Sequence, residues 1–362
     1  MSEHFDIAVV GSGAAGIAAA VSAARAGGKT LLLDKNPAPG GTGGFSGLTT
    51  LCGLFDDEAR FLNEGFAREF AEAVAETLPL RMGKVWVLQY RPEKFRAVAA
   101  NFFAETPNLQ TRWNAPLANV VVENNRIVRL NGFTVGAVID CSGTAEVARA
   151  VGAECLATDD TTQAPAVIFP LHHVAREFTT PAEVAQVLLP PARAGFPPLN
   201  FQPGLEPDTL TVKFTGPAEQ VRDLIEFLRT NVAGFEHCVT PLTEFTATQR
   251  AGRMILGQYL LTGADVLAGR KFPDAVARCG WPIEQWGRDG VARFRYLPPG
   301  AYYELPARSL RAARIANLFM AGKTISADVD AIASARVMGC CLATGAAAGQ
   351  LAAAQLESAH TT

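Results

Sequence analysis

Apolar positions along the 362 residues fall into short blocks whose period changes, and each change marks an element. Residues 7–10 are an apolar run of strand length. An alanine-rich stretch of helical length follows to Ala26, and residues 30–33 form a second apolar run beyond Gly27 and Gly28. Residues 58–78 mix charged and apolar positions as a helix does and stop at Pro79; residues 84–89 then read as a strand. Pro92 opens a further helix at its first position, with Phe95, Val98 and Phe102 on one face. Residues 109–113 read as a third strand. Alternation then runs to Asp140 and breaks at Asn124-Asn125 and Asn131-Gly132, two pairs suited to hairpin turns. The expectation is a β-meander that closes on a buried strand.

In the second half, strands at 166–171 and 209–214 alternate with helical segments. Thr180-Pro181-Ala182-Glu183 has the form of a capping box, and Val221, Leu224, Ile225 and Leu228 make an apolar stripe. Residues 190–204, rich in proline and glycine, read as a loop. Residues 331–356 are the most apolar long stretch, yet Arg336 and Gln350 within it favour a buried helix over a membrane span.

Composition narrows the classes. With 49% hydrophobic residues, the chain suits two domains or one α/β domain with a large insertion. Its net charge of −3 comes from 32 basic and 35 acidic residues with no block of like charge, so neither nucleic acid nor an anionic membrane is an expected partner. A small-molecule substrate is. No charged leader precedes the first strand near Phe5, which sets a cytoplasmic expectation. The seven cysteines form no C-x-x-C and no Cys/His spacing suits zinc, so reduced thiols and no metal are expected. Adjacent Cys340 and Cys341 read as small buried hydrophobes rather than as a disulfide.

The chemistry starts at GSGAAG. Gly11, Gly13 and Gly16 fit G-x-G-x-x-G between a strand and a helix: the first glycine permits a tight turn, the second lets backbone approach a pyrophosphate, and the third lets helix pack on strand. Asp34 ends the second strand about 20 residues on, where an acid meets a ribose diol. A second glycine cluster, PGGTGG with Gly40, Gly41, Gly43 and Gly44, then stands where a plain NAD domain would begin another helix.

That cluster resembles the FAD-binding domain of the glutathione-reductase type, and more narrowly the FAD-dependent oxidoreductases with a single Rossmann domain. VIDCSG, ending in Asp140, Ser142 and Gly143, resembles the family's D-x-[ST]-G strand. TQRAGRMILGQYLLTGADV places Arg250 and Arg253 before Gly257, Tyr259, Leu261, Thr262, Asp265 and Val266, similar to the family's arginine turn and G-x-Y-x-L-T-x-x-D-V stretch. NLFMAGKTISADVDAIASARVMGCC resembles its closing strand, loop and small-residue helix.

The resemblance implies an α/β fold: a Rossmann-type FAD/NAD(P)-binding domain with a β-meander (1–50, 90–155 and 300–362), plus an α+β substrate domain (51–89 and 156–299). It implies FAD held by Gly11, Gly13, Ala14, Ala15, Gly16, Asp34, Lys35, Gly40, Gly41, Gly43, Gly44, Ser142, Gly143, Gly322, Ser326, Asp328 and Arg336. Arg250 and Arg253 are candidates to clamp an anionic substrate, against the alternative of a structural ion pair with Asp265. Cys52, His172 and His173 are further catalytic candidates. Family members often carry His where this chain has Val329 and Trp286. The implied activity is hydride or electron transfer between FAD and a small organic substrate. The alternatives are a non-catalytic flavin-binding subunit, a non-redox dinucleotide user of the thiazole-synthase kind, and an RNA-modifying flavoprotein, which the net negative charge disfavours.

Overall fold

The structure, a computed structural model, describes residues 3–157, 163–176 and 181–360. Five parallel strands form its centre in the order Leu109–Arg112, Thr30–Leu33, His4–Val10, Phe133–Asp140, Leu318–Met320. The turn pairs do what their sequence predicts. Asn124 and Asn125 take φ of 49° and 58° between strands Val120–Glu123 and Arg126–Leu130, and Asn131 and Gly132 take 50° and 86° before Phe133–Asp140. These are the positive φ values of a two-residue hairpin whose twist matches its strands. Asn317 ties the meander to the last strand, accepting from the Ile127 N–H and donating to the Ile127 and Gly136 carbonyls, each at 2.8 Å.

The first helix, Ala14–Arg25, is apolar all round because it is covered on both sides, by the sheet and by the last helix, Met338–His360. Only residues without bulk allow that contact. A Cβ at Gly345 would lie 2.1 Å from the Ala15 carbonyl oxygen, and one at Gly349 would lie 2.4 Å from that of Ala19. Helices Phe66–Val74 and Pro92–Glu105 extend this core through Phe70 on Phe95 and Phe66 on Phe102, with ring centroids 4.9 and 5.0 Å apart.

A second, antiparallel sheet runs Leu199–Pro203, Leu210–Phe214, Ala166–Leu171, Ala247–Thr248. Strand alternation gives it two faces. Val167, Phe169, Val212 and Phe214 pack on Leu224 and Leu228 of helix Val221–Asn231. Ile168 and Lys213, paired in register, face the other way, toward the parallel sheet's carboxyl edge.

Several expectations are corrected. The helix expected at 58–78 spans only Phe66–Val74, because the Asp56 carboxylate accepts from the Glu58 and Arg60 N–H groups and fixes a turn instead. The stretch 190–204 is a loop over residues 194–198 rather than throughout. Pro190 and Pro191 lie in the last turn of helix Pro181–Arg193, where their carbonyls still accept from Ala194 and Phe196, and Pro203 ends an edge strand that tolerates it. Thr180, the expected cap of that helix, lies outside the described residues. The apolar stretch 331–356 breaks into Val329–Ala335 and Met338–His360, bent by 95°. No single helix among the described residues is long and apolar enough to cross a membrane. The cysteines are not all thiols. Cys279 and Cys340 form a disulfide, since strand Ala275–Cys279 packs on the last helix, and that proximity leaves no mark in the spacing. Cys52, Cys141, Cys155, Cys238 and Cys341 are free.

The close contact of the first and last helices is testable. Gly345→Val should destabilise the protein by about 3 kcal/mol, the upper range for overpacking. Ala354→Leu, on the helix's exposed face, should stay within about 0.5 kcal/mol of wild type in urea unfolding. Equal midpoints for the two variants would contradict the contact.

Candidate active site

A cleft opens at the carboxyl edge of the parallel sheet, where its strands meet the second sheet. At its outer end, the three glycines of the first turn divide their work. Gly11 has φ of +99°, and a Cβ there would lie 2.6 Å from the Cys141 carbonyl oxygen. A Cβ at Gly16 would lie 1.7 Å from the Gly11 oxygen. Both are needed for packing. Gly13 is different: its φ is an ordinary −72°, and a Cβ there would meet only the Gly41 Cα, at 4.0 Å. It faces open space in the cleft. Gly13 also N-caps the first helix without a side-chain hydrogen bond, so first-turn N–H groups lack a side-chain partner beside that space.

The second glycine cluster docks on the first. Gly40 N–H donates to the Ser12 carbonyl at 3.0 Å, and a Cβ at Gly41 would lie 2.8 Å from the Gly13 Cα. Gly41 and Gly43 line the cleft, whereas Gly40 and Gly44 pack back on Arg96. Asp34 is buried at the cleft wall. Its Oδ2 accepts from Ser12 N–H and Oγ, both at 2.6 Å, and its Oδ1 accepts from Asn36 N–H and Nδ2, both at 2.8 Å. Lys35 meets Glu146 at 2.9 Å across the mouth. Ser142 and Gly143 line the cleft; Asp140 instead caps helix Glu146–Ala150, accepting from Val147 and Ala148 N–H. Ala14, Ala15, Gly322 and Lys323 complete this part. The break between the two C-terminal helices places Val337 and Met338, at the start of the last helix, on the same wall.

These features fit a dinucleotide. An uncapped helix start, an open face at Gly13 and an adjoining glycine loop make a cradle in which backbone N–H groups and the helix dipole favour a pyrophosphate.

The inner end is lined by Lys213, Arg250, Glu284, Trp286, Ile168 and Cys52. Glu284 is held from two sides, its oxygens accepting from Trp281 Nε1 at 2.7 Å and Trp286 Nε1 at 2.6 Å. Arg250 donates to the Ala164 carbonyl at 2.6 Å and lies 4.9 Å from the Trp286 ring centroid. Arg336 donates to Gln163 Oε1 at 2.7 Å, while its buried Nε has no partner. Burial, then Glu284, pushes the Cys52 thiol up to about 12, so it stays protonated at neutral pH and is wall rather than nucleophile.

The remaining sequence candidates lie elsewhere. Arg253 is exposed, on strand Arg253–Ile255, which pairs with Cys155–Ala157 and turns it from the cleft. The expected Asp265 ion pair involves neither arginine: Asp265 meets Arg270 at 2.8 Å and accepts from Tyr259 and Thr262, so the G-x-Y-x-L-T-x-x-D-V stretch builds a capping box. His172 bridges Val239 through its backbone, and exposed His173, at φ 60°, meets Asp208 at 3.2 Å; neither lines the cleft. Ser326 and Asp328 are also outside it. Asp328 caps helix Val329–Ala335 and accepts from Gly263 N–H. Of the two positions where family members often carry His, Val329 starts that helix and Trp286 walls the cleft. Sequence reading missed Lys213, Lys323 and Glu284. Lys213 had a signal, being the one charge in the apolar strand LTVKF.

A parallel sheet with a glycine cradle at its carboxyl edge and a second sheet across the cleft defines a dinucleotide-binding α/β protein. More narrowly, the model of the FAD dependent oxidoreductase family matches residues 6–215 and 199–362, and the chain belongs to that family. No curated protein matches the sequence significantly. Solved structures do. GidA from Aquifex aeolicus has 15% identity and a TM-score of 0.59 over 98% of this chain and 64% of that one. A geranylgeranyl bacteriochlorophyll reductase-like protein from Thermoplasma acidophilum has 14% and 0.53, over 99% and 79%. OxyS, an anhydrotetracycline hydroxylase from Streptomyces rimosus, has 13% and 0.56, over 98% and 63%. At these identities the likeness is one of fold, and the chain spans less than two thirds of the length of GidA and of OxyS.

The division among the glycines predicts different failures. Gly13→Val should fold, with a far-UV spectrum and melting temperature near wild type, and lose FAD by about tenfold or more, since its side chain fills only ligand space. Gly16→Val should fail to fold. A yellow Gly13→Val protein with full FAD content would contradict this placement.

Proposed function

We propose that this chain transfers hydride or electrons between FAD, held at the outer end of the cleft, and a small organic substrate bound at the inner end between the two sheets. The observation that carries the reading is the continuity of the cleft, which runs from the open face of Gly13 to Lys213, Arg250 and Trp286. The glycine turn and first helix would hold the pyrophosphate, and Asp34 a ribose. FAD supplies the two-electron chemistry. The chain supplies position and exclusion of water: Ile168, Leu48 and Val337 are apolar parts of the wall, and Trp286 orients Glu284 and Arg250.

With Val329 and Trp286 where family members often carry His, a titratable side chain that the inner cleft offers is Lys213. Burial lowers the Lys213 ammonium and Glu284 opposes that shift. A lysine held below its ordinary value gives up its proton more readily than a solvated one.

The test begins with the purified protein, which should be yellow and release FAD on denaturation. The sequence carries one G-x-G-x-x-G, so a nicotinamide cofactor has no dinucleotide domain of its own. NADH and NADPH should therefore bleach the flavin slowly or not at all under anaerobic conditions, while dithionite reduces it fully. Bleaching by a nicotinamide within milliseconds would show that the inner cleft is a nicotinamide site, and a flavin that dithionite cannot reduce would end the redox reading.

A further inference from the structure

We propose that the inner end of the cleft is a carboxylate-binding site, in which Lys213 and Arg250 take the acid group of a small substrate with an apolar body. This rests on the reading above, that the substrate meets FAD at this end.

Charge is the first observation. Three cations, Lys213, Arg250 and Arg336, line the inner region, and Glu284 is the one carboxylate among them. Glu284 does not neutralise them by contact. Both its oxygens accept from the indoles of Trp281 and Trp286, and it makes no ion pair within 4.0 Å among the described residues. Arg250 has a carbonyl and an aromatic ring as neighbours, both uncharged. The Lys213 side chain makes no hydrogen bond among the described residues; its Nζ stands 5.9 Å from the Trp286 ring centroid. A half-buried cation whose nearest carboxylate acts only at a distance still carries a desolvation penalty that a bound anion relieves. The pyrophosphate does not serve here, because the cradle at Gly13 holds it at the other end.

Geometry is the second. Lys213 points off the antiparallel sheet beside Ile168, its partner in register, and Leu48 and Val337 are further apolar parts of the lining. A carboxylate with a hydrocarbon or aromatic body matches a wall that is cationic in one place and apolar beside it. Electrostatics agree. Burial, then Arg336, lowers the Arg250 guanidinium to about 10, and burial lowers Lys213; both shifts are what an added negative charge would reverse.

The experiment titrates the holoenzyme with acetate, butyrate and benzoate, and with acetamide, butyramide and benzamide, reading both the flavin difference spectrum and heat by calorimetry. At least one acid should bind about tenfold or more tightly than its amide. Lys213→Met and Arg250→Met should each weaken that acid about tenfold or more and leave the amide unchanged, with FAD content retained; Arg250→Lys should recover only part. Arg253→Ala, outside the cleft, should match wild type. Acid affinity should fall as pH rises through the lowered Lys213 value, with Glu284, Cys52, Arg250 and Arg336 the charged or titratable groups facing it.

Equal binding of acid and amide to wild type, or inorganic phosphate binding more tightly than any carboxylate, would overturn the proposal. So would methionine variants that bind acids as wild type does. If one methionine variant fails to fold, the other and the acid-to-amide ratio still decide. A yellow, reducible protein that binds acid and amide alike sinks this inference and leaves the redox function standing. Calorimetry reads acid binding even if the flavin reading fails.

Discussion

The structure depends on two backbones coming closer than side chains allow. Gly345 and Gly349 bring the last helix onto the carbonyl oxygens of Ala15 and Ala19 in the first. Gly322, at φ +69°, brings the loop after the last strand against the Ala15 Cβ, and its N–H donates to Thr344 in the last helix. The two ends of the chain are thereby fixed to each other at the point where the cleft begins. The start of the first helix and the start of the last then lie on one cleft, and both helix dipoles favour negative charge there. A bulkier helix surface would separate them. The alanine and glycine content of the C-terminal stretch is thus a requirement of the site as well as of packing.

The second constraint is that the two sheets meet edge to face. The antiparallel sheet buries Val167, Phe169, Val212 and Phe214 against its own helices, so alternation obliges Ile168 and Lys213 to face the cleft. A lysine at that position of a packed strand would be destabilising in an ordinary core. Its tolerance here follows from the cleft beside it, where its charge can be met by ligand.

Legibility in the sequence followed the range of the interaction. The glycine turn, Asp34, the asparagine hairpins and the Asp140 strand are local, each set within a few residues by φ, by a cap or by alternation, and the structure has them where the pattern puts them. Errors came where a distant partner decides. Arg250 and Arg253, three apart, are expected to clamp one anion together, but residues 253–255 are a strand, and only Arg250 turns to the cleft. Ser326 and Asp328 stood beside the right loop, yet Asp328 is committed to Gly263 and Ala331. The Cys279–Cys340 disulfide joins residues 61 apart in sequence, and nothing near either cysteine announces it.

Trp286 links the carboxylate of the inner cleft to its cations. An imidazole at that position would carry a proton; an indole is a donor only and never titrates. Its Nε1 is spent on Glu284, and its face lies under Arg250 and Lys213. The ring therefore does by position what a histidine would do by charge. It holds one oxygen of the Glu284 carboxylate, and Lys213 and Arg250 line the cleft over its face. A pair that neutralised itself would offer a substrate only a weak dipole. Held apart across an aromatic ring, the same groups present a directed field to the cleft.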